Sequence, residues 1–312
     1  MSQRQRRHAA VDGWLVLDKP TGITSTAALS VAKRLFGGPK AGHAGTLDPL
    51  ATGILPIAFG EATKAVPYVM DARKRYRFRL RFGEERDTDD AEGKVVESSA
   101  ARPSAAEVRA ALPAFIGEIE QVPPRFSAVK LAGERAYDLA RSGQEVTLKP
   151  RTVLVHGIDL VEFVGPDEAA FELACGKGAY VRALARDLGR RLGCLAHVTS
   201  LRRLAVGPFD EAGAISLAAL EQLGHKGPLL HVLLPVETAL ADIPALAVTG
   251  AEADRLRQGQ SVRVPSSQRG VVYVAAAGQP VALARLDEGE LRPLRVFRLP
   301  RKDKADVDRR GT

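Results

Sequence analysis

Residues 75–82 carry the cleanest alternation in the chain: Tyr76, Phe78, Leu80 and Phe82 interleave with Arg75, Arg77, Arg79 and Arg81. Period two puts the aromatic and aliphatic side chains on one face of a strand and the four arginines on the other. That arginine face could meet solvent or phosphate, and alternation alone does not choose. Tyr76 stands near the strand's start on the apolar face, where most tyrosines are core residues with a satisfied hydroxyl. Upstream, the apolar run Trp14-Leu15-Val16-Leu17 stops at the turn signal Asp18-Lys19-Pro20-Thr21-Gly22. Thr24 or Ser25 then caps a helix carrying Leu29, Val31, Ala32 and Leu35, which ends at Gly37-Gly38-Pro39. Residues 54–59 read as a buried strand, and Gly60-Glu61-Ala62-Thr63-Lys64 leads into another helix. Ser104 caps a helix to about Leu112. Residues 171–175 form a strand turned by Gly176-Lys177-Gly178, and a helix follows from Tyr180 to about Leu192. Its apolar stripe is Val181, Leu184, Ala185, Leu188 and Leu192. A helical segment is expected from after Leu204 to about Leu234.

This pattern sets the domain organisation. With 312 residues, one large and one small domain are expected. A Pro-containing linker near Asp242-Ile243-Pro244 separates residues 11–243 from residues 244–300. In the latter, short strands near 261–264, 271–275, 281–286 and 294–297 make a small β-barrel-like pattern. Residues 121–130 and a basic helix at 137–141 interrupt the strands, so residues 124–150 read as a flap or insertion. Residues 1–10 form a basic disordered start and residues 301–312 a charged disordered tail.

Charge narrows the partners. The net charge is +8 with a pI near 9.6, and residues 244–312 hold 13 Lys and Arg against 8 Asp and Glu. An excess of this kind favours polyanions through counterion release, although an acidic membrane surface is open on charge alone. No apolar run approaches the ~20 residues of a membrane span, and the chain reads as cytosolic. Cys175 and Cys194 are the only cysteines. They make no disulfide framework, fit no common zinc spacing with His197, and read as small buried hydrophobes.

Candidate chemistry concentrates in residues 42–53, Gly-His-Ala-Gly-Thr-Leu-Asp-Pro-Leu-Ala-Thr-Gly. Glycines permit close backbone approach, and Pro49 pushes Asp48 towards an extended conformation. Asp48 is either a rigidly mounted carboxylate or a turn or N-cap aspartate. Arg182 lies off its helix's apolar stripe in the first turn, the unfavourable end of the macrodipole for a cation, which points to a partner anion. The acidic turn Asp87-Thr88-Asp89-Asp90-Ala91-Glu92-Gly93 lacks EF-hand spacing and reads as a solvated loop, with a divalent-metal site the other reading. Gly176-Lys177-Gly178 lacks the context of a dinucleotide loop, and no phosphate-loop sequence occurs, which argues against nucleotide-cofactor enzymes.

Taken together, these stretches resemble the TruB family of bacterial tRNA pseudouridine synthases. The matching residues are Asp18-Lys19-Pro20-Thr21-Gly22 with Thr24-Ser25, residues 42–53, Gly60-Glu61-Ala62-Thr63-Lys64, and Lys74-Arg75-Tyr76 with the acidic turn. Ser127-Ala128-Val129-Lys130, residues 176–182, residues 193–198 and Leu201-Arg202-Arg203 complete the set in the family's order. Residues 244–300 resemble a PUA RNA-binding domain more weakly. The resemblance implies an α+β fold, a mixed, largely antiparallel sheet flanked by helices, with the PUA-like domain at the C-terminus. It implies isomerisation of uridine-55 in the tRNA T-loop by base flipping, cleavage of the N-glycosidic bond and formation of a C–C bond, with no cofactor, metal or guide RNA. Asp48 would be the essential carboxylate, Tyr76 would stack on the uracil and help with the proton at C5, and Arg182 would pair with Asp48 and hold it oriented. His43 would contact the T-loop, Tyr180 and Leu201 would line the pocket, and Lys19 and Lys64 would support the site or touch RNA. A cytoplasmic monomer is expected. Two other classes compete: a tRNA-binding or folding protein with a vestigial loop, and a metal-dependent nuclease built on Asp87, Asp89 and Asp90; a guide-RNA-dependent relative within the same superfamily is a further alternative.

Overall fold

The computed structural model describes residues 11–300, apart from 128, 132–133, 137–138, 140–141, 143 and 145–146. The basic helix expected at 137–141 falls largely outside the described residues. The central sheet has ten strands: β1 (Gly13–Lys19), β2 (Ala41–His43), β3 (Thr52–Phe59), β4 (Lys74–Phe82), β5 (Gly117–Gln121), β6 (Arg151–Gly165), β7 (Glu168–Cys175), β8 (Ala196–Val206), β9 (Phe209–Asp210) and β10 (Ile215–Ser216). Their order is β10-β1-β3-β8-β4-β7-β6-β5, with β2 paired to β3 and β9 to β8. Along that path β1 with β10 and β3 with β8 run parallel, and the other pairs are antiparallel. The sheet is mixed and largely antiparallel, as expected.

Among the described residues five helices flank it: α1 (Ser25–Leu35), α2 (Val66–Asp71), α3 (Ala105–Ala111), α4 (Val181–Arg191) and α5 (Leu217–Lys226). The Thr24 hydroxyl accepts from the Ala27 amide to start α1, and Ser104 and Glu107 close a capping box on α3. On one face, Leu15, Leu17, Leu55, Ile57, Phe78 and Leu80 pack against Ala28 and Ala32 of α1, Val108 of α3 and Leu184 and Leu188 of α4. On the other, Trp14, Val16, Ile54 and Val206 pack with Phe209 and Leu240, and with Leu283 and Phe297 of the C-terminal region. Covering on both faces explains why residues 14–17 are continuously apolar rather than alternating.

The C-terminal region forms a second, five-stranded sheet from β11 (Ala245–Ala247), β12 (Val262–Arg263), β13 (Gly270–Ala276), β14 (Gln279–Asp287) and β15 (Glu290–Val296), ordered β11-β13-β14-β15-β12. Leu256 of an added helix, α6 (Gly250–Arg257), fills its core beside Val272, Val274, Leu286 and Leu291.

The choice left open for the arginines of residues 75–82 narrows, and the expectation for residues 205–234 needs revision. Two arginines of the exposed face of β4 meet carboxylates: Arg77 pairs with Glu172 of β7, and Arg79 with Glu162 and Glu168. Of the helical segment expected after Leu204, the first part holds the end of β8 with β9 and β10, and only residues 217–226 form a long helix, α5. Both cysteines are buried, as read. Burial pushes the Cys175 thiol up to about 12 and that of Cys194 to about 11, which leaves both unreactive.

Candidate active site

Asp48 sits on the loop between β2 and β3, and four groups pin that loop from outside. The Ser25 hydroxyl, at the start of α1, donates to the Leu47 carbonyl (2.9 Å) and accepts from the Leu47 amide (2.8 Å). The Gly22 amide donates to the Pro49 carbonyl at 2.8 Å. Lys19, wholly buried, donates from Nζ to the carbonyls of Pro20, Ile23 and Pro49. From β8, Arg203 donates through Nη2 to the Gly45 carbonyl (3.0 Å) and through Nε to that of Ile54 (2.7 Å). Gly53 is needed here: its φ is +96°, and a Cβ would lie 2.2 Å from the Arg203 carbonyl oxygen. The turn at Asp18–Gly22, the start of α1 and the middle of β8 therefore serve one carboxylate.

The carboxylate's partner comes from α4. Arg182 Nη2 lies 2.9 Å from Asp48 Oδ2, with the arginine side chain 4% exposed and the aspartate 36%. The partner anion that the helix dipole called for is present, and there are two. Arg182 Nη1 lies 3.5 Å from Asp90 Oδ2. The same guanidinium donates to the carbonyls of Thr88 and Phe126, both at 2.9 Å. The acidic turn is therefore not a solvated loop. Asp89 and Asp90 are buried, because the arginines of α4 supply the counter-charges that make burial tolerable. Among the described residues no group of His, Cys, Asp and Glu side chains is arranged to hold a metal ion.

Asp48 opens into a cavity of about 550 Å³ that also receives Tyr76, Tyr180, Leu201, Lys74 and Arg203. Tyr76 pairs across β4 and β8 with Arg203. Burial raises its phenol above the ordinary value, against the lowering influence of the Arg203 charge and hydrogen bond, so a neutral ring faces the cavity. Tyr180 is the N-cap of α4, and the Gln121 side chain brackets its backbone, donating to its carbonyl and accepting from its amide. Its phenol too is raised by burial. Lys19 and Lys74 are both lowered to about 8, chiefly by burial. Lys74 reaches back to the carbonyls of Met70 and Ala72 at the end of α2.

Of the residues singled out in the sequence, Asp48, Tyr76, Arg182, Tyr180 and Leu201 share the cavity. Lys19 lies behind the Asp48 loop as a buried clamp and is closed to RNA. His43 is at the end of β2, opposite Ile57 of β3. Lys64 is elsewhere, paired with Glu61 and donating to the Val296 carbonyl of β15. Sequence reasoning missed the clamping role of Arg203 and the part of Arg186, which pairs with Asp89 at 2.9 Å. Arg182, Arg186 and Arg190 recur at four-residue spacing opposite three acids of residues 85–90, and that charge match was available in the sequence.

Known proteins similar to this chain place it in a family. Residues 33–181 match the TruB family pseudouridylate synthase N-terminal domain, residues 182–241 a tRNA pseudouridylate synthase B C-terminal domain, and residues 244–297 the C-terminal domain of pseudouridine synthase II TruB. The chain is 57% identical over 307 residues to the tRNA pseudouridine synthase B of Nitrobacter winogradskyi, covering 96% of this chain and 86% of that one. It is 59% identical over 298 residues to the protein of the same name from Rhodopseudomonas palustris, covering 93% and 81%. The crystal structure of the archaeal box H/ACA sRNP Nop10-Cbf5 complex shares the fold, with a TM-score of 0.73 at 24% identity over 96% of this chain and 90% of the other. The fold and the matched family domains are those of a pseudouridylate synthase. Within that class, the chain belongs to the TruB family.

Proposed function

We propose that this protein isomerises uridine-55 to pseudouridine in the T-loop of tRNA, acting on the T-arm without a guide RNA and as a monomer. Asp48 is the catalytic carboxylate. The observation that carries this reading is the Asp48–Arg182 pair at 2.9 Å, buried on the arginine side and open on the aspartate side to the cavity holding Tyr76. A carboxylate held in that way can attack the ribose C1′ or the base C6, or take a proton from C2′, without redox help. The target base must first leave its stack at a cost of a few kcal/mol. Stacking on Tyr76 returns on the order of 1–3 kcal/mol. Released uracil turns within the cavity and rejoins the ribose through C5, which frees Asp48 from any bond it formed. The C5 proton then passes to the freed Asp48 carboxylate or to water, and N1 takes up a proton in exchange. A raised Tyr76 phenol is neutral at pH 7, so it serves first as a platform, and Arg203 beside it eases any transient ionisation. Leu201 and Tyr180 wall the base in, and His43, at the end of the adjoining β2, would contact the T-loop. The PUA-like sheet and the net positive charge hold the RNA by shape and phosphate.

The test is pseudouridine mapping on an unmodified tRNA transcript with purified protein. We expect modification at position 55 alone, and none above background for Asp48→Asn with binding within about threefold, the pattern of a group used only in the transition state. Strand cleavage, or binding without pseudouridine, would favour the nuclease or the pure RNA-binding class instead.

A further inference from the structure

Behind Arg182, α4 and the acidic turn form a ladder. Arg182 meets Asp90 at 3.5 Å, Arg186 meets Asp89 at 2.9 Å, and Arg190 chelates Glu85 through both its Nε and Nη2. The outer rung is half exposed on the arginine side, whereas the Arg186–Asp89 rung is about nine-tenths buried on both sides. Asp89 has φ +60°, a left-handed backbone that aspartate and asparagine tolerate better than other residues bearing a Cβ. Its immediate neighbours are the two turn residues that touch Arg182: Thr88 through its carbonyl and Asp90 through its carboxylate. The Asp89 carbonyl accepts from the Val198 amide, and the Ala91 amide donates to the Val198 carbonyl, so the turn is stitched to β8, which carries Arg203. Arg186 also donates to the Val122 carbonyl at 2.8 Å. The next residue back, Gln121, brackets Tyr180 at the first turn of α4. One guanidinium thus ties together the turn that meets the Arg182 head and the strand end that fixes the start of its helix.

We infer that Asp89 and Arg186 are a positioning pair for the isomerisation, acting through Arg182 to hold Asp48 in its reactive place and so governing turnover rather than RNA binding. The inference rests on the proposed pseudouridine-forming role of Asp48. Neither residue lines the cavity, so neither touches substrate. The pair also titrates in a useful range. Burial pushes Asp89 up to about 6, with Arg186 and Arg182 pulling it down and Glu85 and Asp187 pushing it further up. Protonating Asp89 cancels its ion pair with Arg186, so turnover should fall on the acid side with an inflection near that value.

The test compares wild type, Asp89→Asn and Arg186→Lys on a tRNA transcript, following kcat and KM for pseudouridine formation from pH 5 to 8, with thermal melts alongside. Asparagine keeps the shape and the left-handed backbone and removes the charge. We expect its kcat at pH 7.5 to fall between about tenfold and a hundredfold, the range for a slight misplacement of the reacting group. KM should stay within about twofold, and the acid inflection should be absent. Arg186→Lys, which keeps the charge but loses the fork, should retain more turnover than Asp89→Asn and keep the inflection. An Asp89→Asn enzyme that melts normally with unchanged kcat and an unchanged pH profile would overturn the inference, as would a change confined to KM. Should Asp89→Asn not fold, Arg186→Lys decides alone: unchanged kcat and pH profile overturn, reduced kcat at constant KM supports. Wild-type protein that forms no pseudouridine would instead refute the underlying function.

Discussion

Arginines and carboxylates meet on two sides of the central sheet, with opposite consequences. Along the solvent side, Arg77 and Arg79 of β4 pair with glutamates of β6 and β7, and Arg202 of β8 pairs with Asp18 and Glu211. They border an open groove of about 450 Å³. On the helix side, Arg182 and Arg186 pair with Asp48, Asp89 and Asp90. Arg77 is 56% exposed and Arg182 4%. In water such pairs contribute about 0–1 kcal/mol. Buried ones add little net stability but become costly when one partner is lost. Residue type is the same on both sides, and burial decides which arginines can hold a reactive carboxylate still.

That contrast can be broken in graded steps. Arg182→Met strands two carboxylates, so we expect a loss of about 3–5 kcal/mol in denaturant unfolding, together with turnover reduced at least about a hundredfold. Asp89 comes next, through pH. Its folded value is raised from 3.8 to about 6. Hence its contribution to stability is full below the lower value and lost as pH rises through the upper, the reverse of an exposed salt-bridged aspartate. Relative to Asp89→Asn, the wild type should lose on the order of 2–3 kcal/mol across that window, read from urea melts at each pH. Lys19→Met leaves the carbonyls of Pro20, Ile23 and Pro49 without its ammonium and should cost about 1–3 kcal/mol, with kcat falling more than KM rises. Smallest is Arg79→Ala, expected to change stability by no more than about 1 kcal/mol and pseudouridine formation not at all.

The same contrast explains what was legible in the sequence. β4 announced itself because Phe78, Leu80 and Phe82 face a core on one side only. The helix starting at Tyr180 was clear from its stripe. β8 was not, because register shifts between Val198 and Ser200 and between Arg203 and Ala205 break its alternation. Asp89 and Asp90 read as loop residues because a run of acids with turn formers is solvated unless something distant neutralises it. The arginines that do so lie about ninety residues away, and only their four-residue spacing hints at a run of acids elsewhere in the chain. Lys19 and Lys64 carried a positive charge that suggested RNA, and only burial distinguishes a clamp on carbonyls from a phosphate contact. Helix α6 was within reach: Thr249 and Glu252 form a capping box three residues apart. The pairing of Asp48 with Arg182 followed from the resemblance and from an arginine at the wrong end of a dipole, two cues that need no tertiary structure.

The most direct test is base-resolution mapping of pseudouridine on an unmodified tRNA transcript incubated with purified wild type or Asp48→Asn. Catalysis by Asp48 predicts conversion at uridine-55 by the wild type and none above background by the variant, with RNA binding within about threefold and an equal melting temperature. Turnover by Asp48→Asn close to wild type would contradict it.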